Sequence, residues 1–447
     1  MTSSPSSHPS LTRRLAQMIR RKEPSDQDRL QAERFVRDWL GSFVAGGPTE
    51  PGRALSAYGS AARDLESRVF LAAALSHITE TDDLHKGSVT HPACVVVPTA
   101  LLLGHEEGLE GVAILNGVLA GYEAMIRVGS AVGPAHYHTF HTTATAGVFG
   151  AAATAAQMLD LEEEEWVWAF GNAGTQAAGL WEFRTDASMS KHLHPGHAAA
   201  AGLRSALLGR HGFTGPETIL EGDHGFLRGL CPDPNPEALL EPAPRWKLLD
   251  TSLKPYPCCG HIHPAIAAAL EVKGRLDSRE GTGAAAKVEN VHVKTYTAGL
   301  HIVDAPDPRT SYDAKFSMQF CVAAALVLGE VDLELFEERL EDPRVRRLAA
   351  KIRVTGSPSF DARYPEQWGA EVTVQPSGGG KAVSSVRTEA PGDPAAPLSD
   401  EDLNEKVVHL LEAGGLGEAE TEELLRDCRH LPENASAFAL PWPPETF

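Results

Sequence analysis

Residues 143–161 read TATAGVFGAAATAAQMLDL, almost all alanine, glycine and threonine up to Gln157. Alanine is the strongest helix former, and nothing in this run breaks a helix. A helix with so little side-chain bulk stabilises a fold by letting other helices approach its backbone closely. The stretch therefore predicts a central helix surrounded by others, and this commits much of the chain to helical packing.

The flanking sequence agrees. From Leu11 to about Leu230, apolar residues recur at helical spacing in DRLQAERFVRDWLGSFVAGG, ESRVFLAAALSHITE, LEGVAILNGVLAGYEAMIRVGSAVG and EEEEWVWAFGNAGTQAAGL. The texture changes at the proline-rich CPDPNPEALLEPAPRW. Beyond it VENVHVKTY, KIRVTG, AEVTVQ and KAVSSVRTE alternate as strands do, with helical pieces at about 264–276, 315–329 and 343–351. PLSDEDLNEKVVHLLEAGG then returns to helix, with Ser399 as N-cap and Asp402 three residues on. The expected fold is mainly α with a second α+β domain. Residues 1–10 are Ser/Pro-rich and expected to be disordered; 11–250 and 396–447 form an all-helical domain, and 251–395 an α+β domain inserted into it.

A chain of 447 residues with a formal charge of −20 repels nucleic acid and anionic membranes. A small anionic substrate would need a local basic pocket, which 19 histidines can supply. The six cysteines show no CxxC spacing, so reduced thiols are expected. The N-terminal residues lack the apolar core of a signal peptide, and no uninterrupted apolar stretch of ~20 residues suggests a membrane span; a cytoplasmic location is the expectation.

Four segments share a design in which a histidine stands just before a helix: TDDLHKGSVTHPACVVVPTALLL with His91, HYHTFHTTATAGVFGAAA with His141, KHLHPGHAAAAGLRSALLG with His194 and KPYPCCGHIHPAIAAALEV with His263. Three of these histidines precede proline, which favours the first helical position, so they are placed at N-caps or one residue before. For His141 the following threonines, Thr142 and Thr143, take the capping part. Helix N-termini hold carboxylates and disfavour a protonated imidazole, which leaves a neutral histidine able to act as a base. With Lys191 and Lys254 nearby in sequence, the set suits a di- or tricarboxylate. Asp82 and Asp83 before His85 read either as a solvated turn or, for Asp83, as a group orienting an imidazole. The H-x-H pairs fall on loops, and no HExxH or Cys/His quartet occurs, so no metal is expected. No GxSxG occurs either. Cys259 is either an activated thiol near a helix start or a small buried one.

These segments, together with LAGYEAMIRVG, GFTGPETILEGDHGF and AKFSMQFCVAAALVLG, occur in an order that resembles the MmgE/PrpD family, whose members include 2-methylcitrate dehydratases, cis-aconitate decarboxylases and iminodisuccinate epimerases. The matching stretches span about residues 80–405. The resemblance implies a large all-helical domain plus a smaller α+β lid domain, a homodimer, no cofactor, and a site where a polycarboxylate loses or exchanges a proton next to a carboxylate. It places active-site histidines of the decarboxylase on His91 and His141 and its lysine on Lys191. Its third histidine falls on Cys259, and Tyr296 is at best a substitute for its tyrosine. Those departures count against the decarboxylase, and the KPYPCCGHIHP form also differs from that expected of a 2-methylcitrate dehydratase. The expected reaction is a dehydratase-like elimination, with epimerisation of an iminodisuccinate-like amino-dicarboxylate as the alternative and decarboxylation or a non-catalytic binding role ranked below.

The expected catalytic set is thus His91, His141, Lys191, Cys259 and His263. Asp83, His85, Thr143, His194 and Lys254 are expected to bind substrate.

Overall fold

The computed structural model describes residues 9–59, 64–186, 188–281, 288–377, 380–433 and 440. Most of the expected disordered N-terminus lies outside them. The chain divides into two compact units, one from 1–78, 82–251 and 400–447, the other from 79–81 and 252–399.

The first unit is helical. At its centre Thr142–Met158 is buried along its length except at Gln157. It packs against Ala93–Glu107, Gly111–Ala131, Glu163–Gly174 and Ser190–Arg210. The small residues act as the composition requires. A Cβ on Gly202 would come within 2.5 Å of both the Ala151 side chain and the Val148 carbonyl, and one on Gly147 within 3.0 Å of the Ala198 side chain. Asp26–Gly46 begins with a capping box between Ser25 and Asp28, and its later turns are buried, partly against Asp400–Ala413.

Gly111–Ala131 is long and apolar enough by composition to cross a membrane, but Asn116, Glu123 and Arg127 interrupt it, and 83% of its apolar window is buried inside the protein, as suits a core helix. One expectation changes: His194-Pro195 does not open its helix. Ser190–Arg210 begins five residues before Pro195, which sits inside it. Proline lacks the N–H that would reach back four residues, so the helix continues past it without the usual bond to the Lys191 carbonyl.

The second unit carries a sheet of four described strands, β1 (Val288–Thr295), β2 (Ile352–Gly356), β3 (Ala370–Pro376) and β4 (Val383–Arg387), in the order β2-β1-β3-β4. β1 and β2 are parallel, with Val291 opposite Ile352, and the helices between them supply the crossover that a parallel pair needs. β3 lies antiparallel to both β1 and β4. Its alternation buries Ala370, Val372 and Val374. Helices His263–Glu280 and Met318–Val327 cover the sheet and complete an apolar core with it. A short 3-10 turn, Gly260–Ile262, leads into the first of these, so His263 is its first residue.

Candidate active site

The helical unit gathers imidazoles that are far apart in sequence. His141 is the N-cap residue of Thr142–Met158, and its Nδ1 lies 3.2 Å from Nδ1 of His194. The His77 ring stacks on His141 at 5.5 Å between centroids and meets His91 edge-on at 5.0 Å. Trp181 covers His141 at 4.6 Å, and Phe183 packs on His194 at 5.6 Å. Lys191, the second residue of Ser190–Arg210, is buried. Its charge adds to the repulsion felt by a proton on His141 or His194.

Both of these imidazoles are neutral at pH 7. Burial pushes His141 well below the usual histidine value, with His77, His194 and Lys191 adding to the effect. Burial likewise takes His194 down to about 4. The first cause is thus loss of water rather than the helix dipole expected from sequence.

A carboxylate organises the other side of this cluster. Asp82 and Asp83, which also read as a solvated turn, are fully buried. Asp82 Oδ2 is 2.6 Å from Nδ1 of His77 and 3.5 Å from Nδ1 of His91. Nδ1 of His91 also lies 2.5 Å from the Asp83 carbonyl oxygen, to which it must donate. The Asp83 carboxyl has other partners: it accepts from the Ala93 N–H at 3.0 Å, capping Ala93–Glu107, and from the Tyr122 hydroxyl at 2.7 Å. Burial pushes its affinity for a proton well up. Thr143 accepts from the backbone N–H of His91 at 3.1 Å and so ties two of the histidine segments together. His85 is held by the Ser88 hydroxyl at 2.8 Å, and burial takes it down to about 4.

A pocket of about 570 Å³ opens beside His194. Gly179, Leu180, Phe183, Ser188, Ser190 and His197 are among its other lining residues. The pocket is large enough for a small polycarboxylate, and His194 brings to it the imidazole that contacts His141.

In the α+β unit Cys259 is buried, and its thiol is pushed up to about 12, first by burial. That holds the proton on sulfur at neutral pH and removes the reading as an activated nucleophile. Nε2 of His263 donates to the Cys258 carbonyl at 3.2 Å. Lys254 is buried and paired with Glu80 at 3.8 Å. Glu80 itself has φ of 61°, a left-handed conformation that a residue with a side chain adopts only when its surroundings enforce it.

Sequence reasoning missed several members. His77 was not singled out, although it follows an apolar helix at the spacing that buries it. Trp181 was missed too; its indole N–H is buried with no acceptor among the described residues. In the second unit His261 stacks on Trp368 at 4.0 Å and hydrogen-bonds Tyr296. The H-x-H pattern around His261 is the available signal in the sequence.

His77, Asp82 and His91 bring one ligand-type atom each within 4.8 Å of one another. Two donors on a tetrahedral zinc stand roughly 3.3 Å apart. The 2.6 Å between His77 and Asp82 fits a shared proton better.

Comparison with known proteins agrees with this arrangement of units. The MmgE/PrpD N-terminal domain matches residues 13–239, and the MmgE/PrpD C-terminal domain matches residues 256–431. The chain belongs to the MmgE/PrpD family. A cis-aconitate decarboxylase of Aspergillus terreus is 27% identical over 352 residues, covering 74% of this chain and 70% of that protein. The human cis-aconitate decarboxylase is 26% identical over 409 residues, 84% and 82% of the two chains. Both relatives are lyases, and this MmgE/PrpD protein is an enzyme of lyase type at the level of the family.

Proposed function

We propose that this enzyme removes a proton next to a carboxylate of a small di- or tricarboxylate without a cofactor, in a dehydratase-like elimination. The observation that carries the reading is the buried, neutral His141–His194 pair beside Lys191. A neutral imidazole can take the carbon-bound proton, and a buried ammonium can stabilise the negative charge that develops on the carboxylate as the C–H bond breaks. The C–H electron pair forms the double bond, and the β-hydroxyl leaves as water with a proton from an acid group. His91 is the second candidate base.

Decarboxylation is the second reading, supported by what the relatives are called. The same groups would then serve in the opposite sense: carbon dioxide departs, and a protonated residue returns a proton to carbon. Epimerisation needs a second proton donor besides the base. The proposal includes a homodimer in the cytoplasm.

Incubation with a panel of di- and tricarboxylates, cis-aconitate and 2-methylcitrate among them, in deuterated water separates these outcomes by proton NMR. A new alkene signal supports elimination. Carbon dioxide release with one deuterium incorporated supports decarboxylation, and deuterium exchange with inversion supports epimerisation. Binding to any member without exchange or product would overturn an enzymatic role on these substrates.

A further inference from the structure

We infer that Asp82 is a positioning residue that sets the hydrogen of His77 on Nδ1 and supports His91 as a proton acceptor. The inference rests on the proton-transfer reading above and deepens it. An ionised carboxylate can only accept hydrogen bonds, so the 2.6 Å contact places a His77 hydrogen on Nδ1, and in the neutral ring Nε2 then holds the lone pair. That Nε2 is buried and has no hydrogen-bond partner among the described residues. An isolated imidazole in such surroundings could hold its hydrogen on either nitrogen; the carboxylate removes the choice.

His91 is held in the same tautomer by a different acceptor, the Asp83 carbonyl. Asp82 adds a charge 3.5 Å from its Nδ1. When Nε2 of His91 takes a proton, that charge stabilises the resulting imidazolium, as the buried aspartate does in a serine-protease triad. The charged and imidazole groups around this dyad include His141, stacked on His77, and His194 and Lys191 beyond it, with Asp83 next in the chain; the Cys94 thiol and the Tyr122 hydroxyl are also near, on the His91 carbonyl and the Asp83 carboxyl. The imidazoles and Lys191 disfavour a further positive charge, and Asp82 is the carboxylate placed to offset them.

Asparagine at this position keeps the shape but can also donate, which reverses the logic at His77 and leaves His91 under the control of the Asp83 carbonyl. The test uses the full-length protein labelled with 15N-histidine, with His77→Gln and His91→Gln for assignment. The wild-type spectrum is expected to show Nδ1–H for both residues. In Asp82→Asn, His77 is expected to switch to Nε2–H while His91 does not. Turnover of whichever polycarboxylate reacts in the panel should fall about 100-fold or more in kcat, with KM changed by less than about threefold. A wild-type His77 found as Nε2–H overturns the inference even if Asp82→Asn fails to fold. So does an unchanged His77 tautomer in a folded variant, or zinc retained stoichiometrically after chelation, since a metal would replace the shared proton. Absence of turnover on every substrate would count against the proposed reaction alone, because the tautomer measurement needs no substrate.

Discussion

Nδ1 of His141 and Nδ1 of His194 are hydrogen-bonded to one another, and both rings are neutral. Between two neutral imidazoles one Nδ1 must carry the hydrogen and the other the lone pair, so the two residues are opposite tautomers. With the hydrogen on His141, its Nε2 is a base and Nε2 of His194 carries a hydrogen. His141→Ala removes the base, and turnover should fall at least about 100-fold. A variant retaining half of wild-type kcat in the panel assay rules His141 out as the essential base.

Acid should weaken the protein before its exposed carboxylates are protonated. His85 and His194 titrate near 4 in the folded chain, against an ordinary histidine value of about 6.5. The unfolded chain therefore binds more protons in that window, and the stability present above pH 6.5 is lost as pH falls towards 4. For the fully buried His85 the loss is about 3 kcal/mol. Thermal melts of wild type and His85→Gln between pH 4 and 7 should diverge, with the variant showing the shallower slope; parallel curves would contradict the assignment.

Lys254 and Glu80 form a buried ion pair in the α+β unit. Removing one partner of such a pair leaves a charge without its counter-charge in a medium that solvates it poorly. Glu80→Gln should cost about 3–5 kcal/mol in urea unfolding. A double change of Glu80→Gln with Lys254→Met should recover part of that loss, whereas additive losses would show that the two side chains do not interact.

All six cysteines are buried, and the Cys259 thiol is held near 12. The native enzyme at pH 8 should therefore resist iodoacetamide under conditions that alkylate a free thiol completely. Mass spectrometry that finds rapid modification at Cys259 would show an accessible thiolate and return it to the list of nucleophiles.

The sequence disclosed the elements more readily than the contacts between them. The four strands and the small-residue helix were legible because period and composition are local. His91, His141, Lys191 and His194 were legible as candidates because each stands close to a helix start. What Asp82 and Asp83 do was not. The two are adjacent in sequence and similar in chemistry, and only the fold assigns one to imidazoles and the other to a helix cap and Tyr122. Pro195 misled for a related reason: proline at a helix start is a preference, and tertiary packing carried Ser190–Arg210 five residues further back.

The close packing of Thr142–Met158 on Ser190–Arg210 has a consequence for mutational tolerance. His141 and Lys191 stand at the starts of these two helices, and the spacing between the helices depends on the missing side chains at Gly147 and Gly202. A methyl group added at Gly202 would meet Ala151, Val148 and Ala152 rather than any proton-handling residue, and so pushes directly against the partner helix. A saturation screen for lost activity should therefore find glycine positions as intolerant as histidine positions. Genetic drift in this chain is constrained as strictly by its featureless stretches as by its reactive ones.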